Sequence, residues 1–414
     1  MNNKQKIYFF SEKDVEGNKD MFSLLGGKGA NIAEMCSLKL PVPPGFTITT
    51  EECVSYLKEK KLSPALKRDI EKNIKKVESV SGKLFGGDDP LLLSVRSGAP
   101  VSMPGMMETV LNIGLTQKTI PLLIKKTKNE KFVYDSYRRF IMMYSDVVME
   151  KGLRKNKTGQ PIRDQMEKLL DQMKKKNGYK NDSAVSSESW EGLAKQYLSL
   201  YEKTFNEQFP EDHTEQLHGA VRAVFSSWNG KRAKEYRAFE KIPSNMGTAV
   251  NVQAMVFGNM GTGCGTGVAF TRNPSSGDKS FYGEWLENAQ GEDVVAGVRT
   301  PHPILKKDGS ENSLEHVLPK AFKELNTIRT KLEKHFMDMQ DIEFTVENKK
   351  LWMLQTRRGK RTGMASIKIV TDMVKEKLIT KKEALSRVQP AQIYESLLKN
   401  IKPDSLLENS SISS

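Results

Sequence analysis

The apolar positions of the chain change rhythm several times along its length. Up to about residue 112, short apolar runs are punctuated by Gly and Pro, the pattern of a mixed α/β region. Lys6–Phe10 reads as a first strand, and Leu91–Val95 as a buried strand ending at Arg96. Gly26-Gly27-Lys28-Gly29-Ala30-Asn31 reads as a loop feeding a helix at Ile32. Leu40-Pro41-Val42-Pro43-Pro44-Gly45-Phe46 must run extended, because proline fixes φ and disfavours helix in the residue before it. From about Leu115 to Phe209 the sequence becomes charged and helix-periodic, with few strand signals. A long helix follows, with Leu217, Val221, Val224, Phe225 and Trp228 on one face and Ile242-Pro243 as its end.

A second α/β region runs from Gly247 to about Arg361. Ala249–Phe257 is strand-like, a Gly-rich loop follows, and Gly267–Thr271 returns as a strand. Phe322, Leu325, Ile328, Leu332 and Phe336 mark a helix. Asp341–Val346 and Leu351–Arg357 alternate with period two and read as a hairpin. Ile342, Phe344 and Val346 share one strand face, and Trp352 and Leu354 are assigned to the same core. A three-residue loop, Asn348–Lys350, then puts Glu343 opposite Gln355 and Asp341 opposite Arg357. Beyond Thr362 lie an amphipathic helix, a shorter one ending near Pro390, and a Ser/Asn-rich tail expected to be disordered. No internal repeat is evident.

The length of 414 residues is enough for two or three cores. The net charge of +14 raises the question of nucleic acid or an anionic membrane. The excess is local, however: Gln117–Asp182 holds 17 Lys/Arg against 8 Asp/Glu. That segment lacks interleaved aromatic stacking residues, so a nucleic-acid partner is not expected. No apolar run approaches the roughly 20 residues of a membrane span, and the N-terminal apolar stretch is too short for a signal peptide. Cys36, Cys53 and Cys264 are far apart, and the five histidines form no HxxxH pair. Neither a disulfide framework nor a zinc site is expected. The cytoplasm is the default address.

Three segments could carry chemistry. On the hairpin, Asp341, Glu343, Gln355 and Arg357 would form one polar floor. Mg²⁺ bridging nucleotide phosphates takes one or two carboxylates, and Arg offers a planar fork to phosphate. The same pattern also describes a solvent-facing cross-strand salt bridge. The glycines of Gly258–Gly267 could bring backbone N–H groups onto a phosphate, or simply form a hairpin tip. Arg96-Ser97-Gly98-Ala99, followed by Ser102-Met103-Pro104-Gly105-Met106-Met107-Glu108-Thr109, places an Arg at a strand end before a Gly/Met loop suggestive of a lid. Lys28, at a helix start, suits an anion.

Taken together, these segments are specific. Ser94–Gly114 (SVRSGAPVSMPGMMETVLNIG), Tyr134–Phe140, Gly267–Gly277 (GVAFTRNPSSG), Asn288–Gly297 and Asp338–Thr362 occur in one order and wording. The chain resembles the N-terminal nucleotide-binding region of the pyruvate, phosphate dikinase family, from near Tyr8 to about Pro390. The resemblance implies an α/β (α+β) fold of ATP-grasp type. It would comprise a first lobe over 1–114 completed by 210–244, a basic helical insertion over 115–209, a second lobe over 245–362, and a helical linker with a disordered tail over 363–414. It implies ATP and Mg²⁺ as ligands. Lys28, Arg96 and Arg139 correspond to phosphate-side residues, Gly105 to the lid, and Glu292 to a nucleoside contact. Asp341, Glu343 and Gln355 correspond to the metal and nucleotide floor, with Arg357 on the phosphates. Arg96 and Arg357 would carry the catalytic charge stabilisation.

In that family a histidine on a separate domain attacks the β-phosphate of ATP. None of His213, His218, His302, His316 or His335 lies in the Thr-Ser-His segment that resemblance would require. The chain is therefore expected to act on a phosphohistidine domain supplied in trans. The alternatives are a non-catalytic ATP-binding or regulatory protein, or part of a longer dikinase. A homodimer is left open.

Overall fold

The computed structural model describes residues 5–397 apart from 102, 104, 154–155, 157–158, 296–298 and 307–310. The tail expected to be disordered beyond Pro390 opens instead with a helix, Pro390–Leu397, and its remainder, 398–414, lies outside the described residues. The chain divides into two compact units. The first comprises 1–265, 287–290 and 345–356; the second comprises 266–286, 291–344 and 357–414.

The first unit is built on an antiparallel sheet of β1 (Ile7–Phe10), β2 (Gly45–Ile48), β3 (Leu93–Gly98), β4 (Thr109–Ile113) and β5 (Ala249–Ala254), in the order β1-β2-β5-β3-β4. The proline run feeds β2 as an extended segment. Its carbonyls, which prolines retain, accept from Ala254 N (to Pro44, 2.9 Å) and Met353 N (to Pro41, 2.8 Å). Helix Pro64–Ser81 shows how local chemistry sets an element. Ser63 caps the Leu66 N–H, Pro64 opens the first turn, and Gly82 closes it at φ 69°. Leu66, Ile70, Ile74 and Val77 form its buried stripe.

Between residues 115 and 209 all described elements are helical: Thr119–Thr127, Glu130–Met143, a π-helical stretch Tyr144–Gly152, Ile162–Asn177, a 3₁₀ turn Asp182–Ala184, and Ser187–Phe205. Trp190, Tyr197, Tyr201 and Phe140 are buried among them.

The second sheet orders β10 (Lys350–Arg358), β9 (Gln340–Glu347), β6 (Gly265–Phe270), β7 (Tyr282–Glu287) and β8 (His302–Pro303). Its hairpin tip, 345–356, belongs with the first unit. In the second unit, helix Pro319–Phe336 buries Leu325, Ile328 and Leu332, and Gly363–Lys375 buries Ile369, Val370 and Met373.

Four expectations are corrected. Ala249–Ala254, grouped by sequence with the second lobe, is an interior strand of the first sheet between β2 and β3. The long helix expected to reach Ile242 is two helices, His213–Ser227 and Lys231–Phe239, because Gly230 breaks out to ψ 150° and starts the second. Gly26–Asn31 is not a loop but part of helix Phe22–Ser37, interrupted only at Gly26 (φ 66°, ψ 168°). The hairpin loop has two residues, Asn348 and Lys349, both at positive φ (49° and 66°), as in a type I′ turn. Leu351 and Met353, rather than Trp352 and Leu354, are therefore the fully buried pair on β10. Trp352 is half-buried, with the Lys350 ammonium 3.8 Å from its ring centroid.

Candidate active site

In the first unit, close backbone packing sets Lys28. Gly26 adopts a left-handed φ, and a Cβ there would stand 1.6 Å from the Gly98 carbonyl oxygen. Gly27 N donates to Ala99 O at 3.0 Å, so the start of the helix lies against the end of β3. A Cβ on Gly98 would lie 3.5 Å from the Lys28 Cβ. Only glycine permits this approach.

Arg96 is inside β3 and not at its end, paired in register with Asn251 of β5 and Thr109 of β4. Its Nη2 donates to Gln253 Oε1, and Gln253 Nε2 donates to Pro43 O at 2.9 Å. A buried amide thus helps to orient the guanidinium. Sequence reading missed Gln253 and its buried neighbour Asn251, which accepts from Thr47 Oγ1 at 2.9 Å. The signal was available: both alternate with Val250 and Val252 on a strand whose residues are all buried.

The β3–β4 connection holds Gly105 at φ 70°, exposed, where an added Cβ would meet no atom within 4 Å. Glu108, at the far end of that connection, pairs with Lys151 at 3.2 Å. Arg139 lies on helix Glu130–Met143, where its Nε donates to Asp135 Oδ2 at 3.1 Å. Its Nη2 is 3.7 Å from Asp182. Burial pushes the Asp182 carboxyl up, but Arg138, Lys174 and Arg139 outweigh it and hold the group below its usual range. In the Gly-rich segment, Gly261 N donates to Asn288 Oδ1 at 3.0 Å, which ties the turn to the NAQ motif. Gln355 is buried on the portion of β10 that belongs to this unit.

In the second unit, Arg357 Nε donates to Asp341 Oδ2 at 2.7 Å. This cross-strand pair arises despite the two-residue turn. At the open end of the hairpin, Gly359 N donates to Met339 O at 2.9 Å. From the turn to that bond β10 contributes one residue more than β9.

Asp341 is buried while Arg357 is exposed. Burial raises the Asp341 pKa, the bond and charge of Arg357 oppose this, and Glu343 adds to the rise, leaving the group above its ordinary value. Arg357 is shifted up, since Asp341 and Glu343 together outweigh its burial. Two carboxylates and a guanidinium thus share one end of the hairpin. Glu292 is exposed in the first turn of the short helix Gly291–Val295.

Two ion clusters missed by the sequence reading flank this end. Asp338 takes Arg361 through both oxygens, at 2.7 and 3.0 Å, and Arg358 Nε at 2.8 Å. Arg272, fully buried, pairs with Glu333 at 2.8 Å and Glu376 at 2.8 Å. Both clusters join residues distant in sequence, which no local pattern reveals.

The sequence matches the family described as "Pyruvate phosphate dikinase, AMP/ATP-binding domain" over residues 22–83, 63–323 and 306–378. The chain belongs to this family. It is 48% identical over 404 residues to the pyruvate, phosphate dikinase of Rhizobium meliloti (strain 1021), which covers 96% of this chain and 44% of that protein. It is 49% identical over 397 residues to the Clostridium symbiosum enzyme, covering 95% of the chain and 44% of the relative. A chloroplastic relative from Arabidopsis thaliana is 47% identical over 395 residues, covering 95% of the chain and 39% of the relative. The chain therefore spans less than half the length of these relatives. Its two antiparallel sheets with flanking helices agree with the α/β, ATP-grasp-type fold of such a domain. Among the described residues no helix is long and apolar enough to cross a membrane. No group of three or more His, Cys, Asp and Glu is placed to hold a metal ion among them either. A nucleotide-borne Mg²⁺ needs fewer protein ligands, and the hard oxygens of Asp341 and Glu343 suit it.

Proposed function

We propose that the chain binds Mg-ATP and presents its β-phosphate to a histidine on another domain or chain, as a phosphotransferase module. The observation that carries this reading is the Asp341–Arg357 pair beside Glu343, in a family described as AMP/ATP-binding. Asp341, Glu343 and Gln355 would hold Mg²⁺, which when bound neutralises and aligns the phosphates. Arg357, held beside the Asp341 carboxylate, would offer its fork to a phosphate oxygen. Lys28, Arg96 and Arg139 add positive charge for the phosphates. Glu292 serves the nucleoside, and Gly105 lets the β3–β4 connection cover the nucleotide. The protein supplies positioning and charge stabilisation rather than a nucleophile. The cytoplasm is the address that goes with this reading.

The test is incubation with β-labelled ATP, Mg²⁺ and a separately prepared phosphohistidine domain. Labelled histidine is the expected result. ATP binding without transfer would favour the reading as a non-catalytic ATP-binding protein.

A further inference from the structure

We infer that Thr271 is a positioning residue for the metal-binding strand, its hydroxyl coupling a buried ion cluster to the start of β9 beside Asp341. The inference rests on the reading of Asp341 and Glu343 as metal ligands. Thr271 belongs to the FTRNP segment singled out in the sequence, which the proposed site does not otherwise use.

Thr271 directly follows β6 and is 1% exposed. Its N–H donates to Gln340 O at 3.0 Å, as a sheet bond would. The return bond is different. Gln340 N donates to the side-chain hydroxyl of Thr271, Oγ1, at 3.0 Å. That hydroxyl in turn donates to Glu333 Oε2 at 2.7 Å. One O–H thus accepts from the backbone of β9 and donates to a buried carboxylate, which fixes its rotamer. Glu333 is itself held by Arg272 through Nε (3.1 Å) and Nη2 (2.8 Å), and Arg272 reaches on to Glu376.

On the other side of β9, Gly359 N holds Met339 O, and Arg361 grips Asp338. Residues 338–340 are therefore clamped from both neighbouring elements, and Asp341 is the first residue beyond the clamp. A hydroxyl that oriented only the scaffold would change stability alone. One that sets the backbone next to a ligand carboxylate also changes how well that carboxylate meets the ion.

The test is calorimetric titration of Mg²⁺ into the chain with saturating ATP, alongside ATP binding in EDTA and urea unfolding. Thr271→Val, nearly isosteric, is expected to weaken Mg²⁺ binding roughly ten- to hundred-fold while metal-free ATP affinity stays at the wild-type value. Thr271→Ser keeps the hydroxyl and is expected to restore Mg²⁺ affinity. Thr271→Ala is a second variant with the same expected loss, should the valine variant fold poorly. Wild-type Mg²⁺ affinity in Thr271→Val would overturn the coupling, as would an equal loss of metal-free ATP binding. Glu343→Ala, run in parallel, separates the two claims. If it leaves Mg²⁺ binding intact, the metal-ligand reading itself fails; if it alone is defective, only the role of Thr271 fails.

Discussion

Lys28 and Arg96 in the first unit, and Asp341 and Arg357 in the second, are held in place by different physics. Around the first pair stand a close backbone approach and a neutral amide. Gly26 brings the helix bearing Lys28 against Gly98, and the neutral Gln253 amide orients Arg96. The second pair is set by charge, with Arg272–Glu333–Glu376 on one flank and Asp338–Arg361 on the other. The cations proposed for phosphate are positioned at least in part by sterics and an amide. The carboxylate proposed for the metal rests against a guanidinium, and the scaffold around it is ionic.

The contrast can be broken at several points. The largest effect is expected from Arg272→Met, which leaves Glu333 buried beside an apolar chain. Breaking such a pair from one side costs about 3–5 kcal/mol, measurable by urea unfolding. Gly26→Ala should cost about 3 kcal/mol or more, because a left-handed φ and a backbone clash add together. Gly105→Ala is its control: the same sign of φ but no neighbour within 4 Å, so about 1 kcal/mol is expected from the backbone alone. Equal losses for the two glycines would show that close packing does not set Lys28.

A smaller effect should appear with pH. Asp341 takes up its proton more readily than an ordinary carboxyl. Mg²⁺ needs the ionised form, so affinity should begin to fall, as pH is lowered, above the usual carboxylate range near about 3.9. A Mg²⁺ titration series between pH 7 and 4 measures this. A decline confined to the lower end would mean that Arg357, and not burial, controls the group.

Much of this arrangement was legible in the sequence. The period-two alternation of Ile342, Phe344 and Val346 located β9 and its polar side, and the i, i+4 spacing of Leu217 and Val221 located a helix. The pairing of Asp341 with Arg357 was also foreseen, although by a loop that does not exist. Asn348-Lys349 forms a tight turn with no glycine to announce it, and β10 carries a one-residue surplus before Gly359 meets Met339. The placement of Ala249–Ala254 in the first sheet was hidden, because strand order depends on long crossovers and not on local pattern. Thr271, Glu333 and Asp338 were hidden for the same reason: each gains its meaning from a partner 23 or more residues away.

Binding of Mg-ATP at the Asp341–Glu343 end of the hairpin is decided by calorimetry of ATP binding with and without Mg²⁺, on the wild-type chain and on Glu343→Ala. Mg²⁺-dependent ATP binding by the wild type is expected, with its loss in Glu343→Ala and metal-free ATP binding unaltered. Mg²⁺-dependent binding that survives in Glu343→Ala at wild-type strength would contradict it.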